Sequence, residues 1–117
     1  MSPNLAQLFN EKNAMIVKGQ IVEASEKFYA DETKTIDFTG TVTTGKKEHT
    51  QAMENFVASI KKVNEITLLK TGVGEDVTFA EFIFDFDMKD GSKIHWHEIL
   101  ESKWHNGLIV EEQYFEG

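Results

Sequence analysis

The chain contains no cysteine and a single proline. Without thiols it has no disulfide framework, thiolate metal site or cysteine nucleophile, which suits a reducing, cytoplasmic setting. Low-complexity tracts are missing as well, so an ordered chain is expected beyond the first few residues. No apolar stretch approaches the ~20 residues of a membrane span. The opening MSPNLAQLFNEK lacks the basic-then-apolar order of a secretory leader. Positive charge is scarce: the formal net charge is −8, with lysines scattered in pairs such as Lys46-Lys47 and Lys61-Lys62. A nucleic-acid partner needs a coherent basic face, so the charge argues against one. Neither a GxSxG elbow nor a phosphate-cradling glycine loop occurs, which removes the usual chemistry of hydrolases and nucleotide binders.

What is present suffices for one core. A chain of 117 residues, 40% apolar and with nine Phe, fits a single domain over 1–117. The spacing predicts a helix from about Asn4 to Lys18, with Leu5, Leu8 or Phe9, Met15 and Ile16 on one stripe. A second helix carries Ile21, Ala24, Ser25 and Phe28 and ends near Asp31. One short strand holding Ile36-Asp37-Phe38 separates it from a third helix, which follows Gly45. His49, Ala52, Met53, Phe56, Val57 and Ile60 share a face of that third helix.

From Glu65 onward the period becomes two. Ala80, Phe82, Phe84, Phe86 and Met88 alternate with Glu81, Ile83, Asp85 and Asp87, describing a strand buried on one side. Asp90-Gly91 and Asn106-Gly107 mark tight turns around an Ile94–Trp104 strand, followed by a Leu108–Phe115 strand. The expected class is α+β: three N-terminal helices packed on a curved, mostly antiparallel sheet.

Several residues could carry chemistry. Asp37 is a carboxylate between apolar neighbours at the joint of helices and sheet, the place for a pocket acid or base. His49 projects from the apolar stripe of the third helix, as either a satisfied core-edge histidine or a pocket hydrogen-bonding group. Trp96, Glu98, Leu100 and Trp104 share one parity, which puts Glu98 inward among apolar groups. There it is either structurally paired or a ligand-facing acid. His95 and His97 share the other parity. With Glu101 they approach a cupin-like metal motif, but the spacing to Gly107 is one residue short and no second motif follows, so no metal is expected. Tyr29, Glu112 and Tyr114 complete the candidates. Glu112 and Tyr114 share parity, while Ile109 and Phe115 argue for the opposite face, so that orientation stays open.

Phe28-Tyr29-Ala30-Asp31-Glu32, the Gly45-led helix and Trp104-His105-Asn106-Gly107-Leu108-Ile109 occur in an order that resembles the SnoaL-like branch of the nuclear transport factor 2-like (cystatin-like) superfamily. The resemblance covers nearly the whole chain. It implies a cone of helices over a bent sheet, a pocket at the wide end and, often, a homodimer. Within that superfamily, alignment with ketosteroid isomerase implies a general base at Asp37 and a network tyrosine at Tyr29. The oxyanion-hole positions of that enzyme fall on Leu100 and near Lys12 or Asn13, and a further network tyrosine on Met53, so steroid isomerisation is not implied.

The expectation is thus a small-molecule pocket lined by Tyr29, Met53, Phe56, Trp96, Glu98, Leu100, Trp104, Glu112 and Tyr114. Asp37 and His49 are its candidate catalytic pair. An apolar carbonyl compound would be isomerised, cyclised or dehydrated without a cofactor. The alternatives are a non-catalytic binder of an apolar or aromatic ligand and a dimeric accessory subunit using the outer sheet face with Ile83, His95, His97 and Ile99.

Overall fold

The computed structural model describes residues 4–117; Met1, Ser2 and Pro3 lie outside it. Chain order is α1 (Leu5–Val17), α2 (Ile21–Phe28), β1 (Tyr29–Ile36), β2 (Val42–Thr44), α3 (Lys46–Ala58), β3 (Ile60–Val73), β4 (Val77–Met88), β5 (Lys93–His105) and β6 (Leu108–Glu116). The strands form one six-stranded sheet in the order β2-β1-β6-β5-β4-β3. Among the described residues only the β1–β6 pairing is parallel. Among the described residues no helix is long and apolar enough to cross a membrane.

Local chemistry explains most boundaries. Asn4 caps α1 by accepting the Gln7 N–H at 2.8 Å. Phe9, Lys12, Asn13 and Ile16 form the buried stripe of α1. Gly45 (φ 100°) occupies a conformation open to glycine, and its carbonyl starts α3 by accepting the His49 N–H. Asn106 (φ 52°) and Gly107 (φ 79°) are both left-handed, as a two-residue hairpin of primed type requires. The Asp90-Gly91 turn likewise joins β4 to β5. On β4, Ala80, Phe82, Phe84, Phe86 and Met88 are buried, and with Phe9, Phe28, Trp104 and Ile109 they make the core under the helices. Three register shifts between β3 and β4 bend that edge of the sheet.

The structure corrects four expectations. The second helix stops at Phe28, and Tyr29–Ile36 is a strand, because its backbone groups are taken up by β2 on one side and β6 on the other. Two strands, not one, separate α2 from α3, and Asp37 follows β1 rather than lying inside it. The third helix ends at Ala58, so Ile60 opens β3 opposite Met88 instead of extending the helix face. On β6, Trp104 pairs with Ile109 while Lys103 pairs with Glu111, which leaves Val110 as an extra residue. That bulge turns both Ile109 and Glu112 inward despite their opposite parity, and so resolves the open orientation.

Candidate functional site

A cavity of about 400 Å³ opens between the three helices and the inner face of the sheet. That volume falls in the usual range for small-molecule sites. Its walls are mainly apolar: Ile16, Ala52, Met53, Phe56, Phe86 and Leu100 contribute most of the hydrocarbon character. Trp96 stacks on Phe56 with ring centroids 5.5 Å apart, and Phe38 meets Trp96 edge-on at 6.2 Å.

Polar groups gather at one end. Lys12 and Glu112 are both buried and form an ion pair at 3.1 Å. Tyr29 Oη donates a short hydrogen bond to Glu112 Oε1, and Ser102 Oγ donates to Oε2 at 2.6 Å. Burial alone would raise the Glu112 pKa, but the Lys12 charge and the Ser102 and Tyr29 hydrogen bonds outweigh it and hold the carboxyl below its ordinary value. Glu112 sits behind the cavity wall rather than in it, whereas Lys12 and Tyr29 line the cavity. The Tyr29 phenol is pushed well up by burial and then by the Glu112 charge.

His49 is buried and stacks on Tyr29 at 4.4 Å. Its Nδ1 meets Ser25 Oγ at 2.6 Å and its Nε2 meets Tyr114 Oη at 3.5 Å. Burial lowers its pKa, the Glu112 charge opposes that shift and Lys12 adds to it, so the balance favours the neutral ring. Tyr114 lines the same end, its phenol raised by burial and by the Glu112 charge.

Two carboxyl groups border the cavity, and they differ. Asp37 lies at the rim, where its Oδ1 accepts the Thr39 N–H, the Thr39 hydroxyl and the Thr41 N–H. The Thr39 side-chain bond, followed by the backbone bonds, holds its pKa below the ordinary value against slight desolvation. The charge is therefore stabilised and its basicity reduced. Glu98 is only 7% exposed and has no hydrogen-bond or ion-pair partner among the described residues. Burial first, and the Glu112 charge second, raise its pKa from 4.5 to about 7.

Of the residues singled out from the sequence, Asp37, His49, Tyr29, Met53, Phe56, Trp96, Glu98, Leu100 and Tyr114 all border the cavity. Trp104 does not. Its indole lies in the core, meets Phe28 edge-on and donates from Nε1 to Thr78 Oγ1 at 3.0 Å. Glu112 also lies outside the wall, drawn back by Lys12 and Ser102. His95 and His97 are on the other side of the sheet, paired with Asp85 at 3.1 Å and Glu81 at 2.6 Å. Among the described residues no three His, Asp or Glu side chains converge to hold a metal ion. Sequence reasoning missed Lys12 and Ser25 as members of the polar end. Lys12 carried a signal, since it falls on the Leu5, Phe9, Ile16 stripe where an aliphatic residue would be expected.

No family model matches the chain, and no curated protein matches it. Solved structures do. A protein assigned as a SnoaL-like polyketide cyclase from Mesorhizobium loti superposes with a TM-score of 0.86 at 21% identity, over 97% of this chain and 99% of that one. A protein of ketosteroid isomerase-like fold from Catenulispora acidiphila, crystallised with trimethylamine, gives 0.74 at 16% identity over 100% and 88%. A nuclear transport factor 2-like protein of unknown function from Cytophaga hutchinsonii gives 0.77 at 12% over 96% and 98%. The chain thus has the nuclear transport factor 2-like fold, in the form shared by SnoaL-like and ketosteroid isomerase-like proteins.

Proposed function

We propose that the protein takes up a small apolar carbonyl compound and moves a proton on it without a cofactor, as an isomerase, cyclase or dehydratase does. Glu98 is the base. The observation that carries this reading is an unpartnered carboxyl in an apolar cavity, with a pKa of about 7. A group poised near the working pH is available as base and, once protonated, as acid. Asp37 is the weaker candidate, because three hydrogen bonds stabilise its ionised form. Lys12, Tyr114 and His49 supply donors at the same end, where charge would develop on a substrate oxygen. The reading is tested by incubating the protein in D2O with a panel of apolar ketones and following loss of the α-proton signal by NMR. Wild type should catalyse exchange, Glu98→Gln should abolish it and Asp37→Asn should retain it. Loss in Asp37→Asn with retention in Glu98→Gln would return the base to Asp37.

A second reading has one observation behind it. The Phe56–Trp96 stack and the Glu98 carboxyl line one cavity, an arrangement that holds small ammonium ions through ring faces and a counter-charge. The protein of similar fold crystallised with trimethylamine makes that ligand class the one to try. Trimethylammonium binding would lower the Glu98 pKa. We also propose a cytoplasmic location and a homodimer through the outer sheet face.

A further inference from the structure

The polar end of the cavity connects to the opposite side of the helical layer. Ser25 Oγ, already bonded to His49 Nδ1, is 2.8 Å from Thr50 Oγ1. Thr50 is half-buried and lines a second, outer cavity of about 450 Å³ with Asp31, Lys46, Lys47, Gln51 and Glu54. Tyr114, His49, Ser25 and Thr50 therefore form a row of hydrogen-bonding groups with successive separations of 3.5, 2.6 and 2.8 Å. Tyr114, His49 and Ser25 border the inner cavity and Thr50 borders the outer one. Every member of the row both donates and accepts.

We propose that Thr50, Ser25, His49 and Tyr114 form a proton relay between the outer cavity and the ligand-binding cavity. The proposal rests on the acid–base reading above and adds how a proton reaches a ligand oxygen when the ligand itself fills the apolar route from the rim. The Tyr114 O–H bond breaks as an O–H bond forms on the ligand's alkoxide or enolate oxygen. His49 passes its Nε2 proton to Tyr114 and takes the Ser25 hydroxyl proton on Nδ1. Ser25 is refilled by Thr50, and Thr50 by water in the outer cavity. Each member loses one proton and gains one, so no member retains a charge, and the ligand gains the proton that the outer water gives up. The hydroxide left outside is neutralised by the proton that Glu98 releases. His49, left protonated on Nδ1, returns to its Nε2–H tautomer as the hydroxyls rotate back before the next turnover. The proton that Glu98 removes from carbon leaves through the rim once the product has departed. A relay of this kind serves reactions whose product keeps the proton on oxygen, such as an intramolecular aldol closure of a polycarbonyl compound. The 3.5 Å link from His49 to Tyr114 is long for a hydrogen bond, as catalytic contacts often are before a ligand is in place.

The test uses the protein saturated with 2-naphthol, which fills the cavity and its route from the rim, with 15N-labelled histidine, reading exchange of the His49 ring N–H with water by saturation transfer. Thr50→Val and Ser25→Ala each remove one link and should slow exchange by about tenfold, the factor that one ordinary hydrogen bond is worth. Thr50→Ser keeps the hydroxyl and should exchange like wild type, while backbone spectra confirm that each variant is folded. Equal exchange in all of them, slowing by Ser25→Ala alone, or Thr50→Ser as slow as Thr50→Val would each overturn the relay. Glu98→Gln should leave His49 exchange unchanged. A failed relay therefore leaves the role of Glu98 standing, and a failed role for Glu98 leaves the relay measurable.

Discussion

Replacing Glu98 with Gln should make the protein more stable at alkaline pH while leaving its stability at pH 4 nearly unchanged. The folded protein binds the Glu98 proton with a pKa of about 7, against 4.5 for the solvated side chain of an open chain. Between those values the folded state holds more protons than the unfolded one, so stability falls as pH rises. Its contribution is fully present below pH 4.5 and lost as pH passes through about 7. The gap of roughly 2.5 units corresponds to about 3 kcal/mol at 1.36 kcal/mol per unit. Gln carries the same shape without the titration, so the difference in stability between variant and wild type isolates this group from all others. Urea unfolding at several pH values between 4 and 8 measures it. The difference should grow from near zero to about 3 kcal/mol in favour of Glu98→Gln. A difference that stays flat with pH would mean that Glu98 titrates normally, and the proposed base would lose its physical ground.

Four further outcomes are expected. Lys12→Met strands the Glu112 charge in the core and should cost about 3–5 kcal/mol in urea unfolding, most of it regained in Lys12→Met/Glu112→Leu; equal losses in both would show that the pair is not coupled. Trp104→Phe leaves Thr78 without its buried donor and should destabilise by about 1–3 kcal/mol, while affinity for 2-naphthol, read by fluorescence, stays the same. Trp96→Ala should show the reverse emphasis, weakening naphthol binding because its ring forms the cavity wall. A charge at Ile99, which lies on the outer face of β5 opposite Glu81 of β4 and Phe115 of β6, should convert a dimer to monomer by light scattering if that face is the contact.

The elements legible from sequence were those with local causes. Asn106-Gly107 demands a tight hairpin by its own dihedral freedom, and the Phe82, Phe84, Phe86 alternation needs only a sheet with one wet side. The sequence leads into Tyr29–Ile36 as a continuing helix because nothing within Tyr29-Ala30-Asp31-Glu32 opposes one; pairing with β2 beyond a turn and with the distant β6 makes it a strand. The orientation of Glu112 depends on one extra residue at Val110, and the sequence shows that bulge only as conflicting parities of Ile109 and Glu112, without saying which residue is extra. The candidate site divides the same way. Glu98 was legible from its aromatic parity, whereas the different environments of Asp37 and Glu98 arise from which hydroxyls and amides each one meets. Lys12 shows the limit most clearly: its stripe position revealed burial, but its partner lies 100 residues further along.

That separation bears on how the protein comes to be folded. Lys12 belongs to the first helix and Glu112 to the last strand, and Tyr29 reaches the same carboxylate across 83 residues. During synthesis α1 and α2 emerge with Lys12 still needing water, since its counter-charge has not yet been made. Non-local pairings of this length slow folding, because chain closure must precede any gain from the contact. The last strand therefore brings two things together: the parallel partner of β1, and the anion that lets Lys12 leave solvent. The polar end of the cavity is assembled in the same event that completes the sheet, so a chain without β6 would have helices but no site.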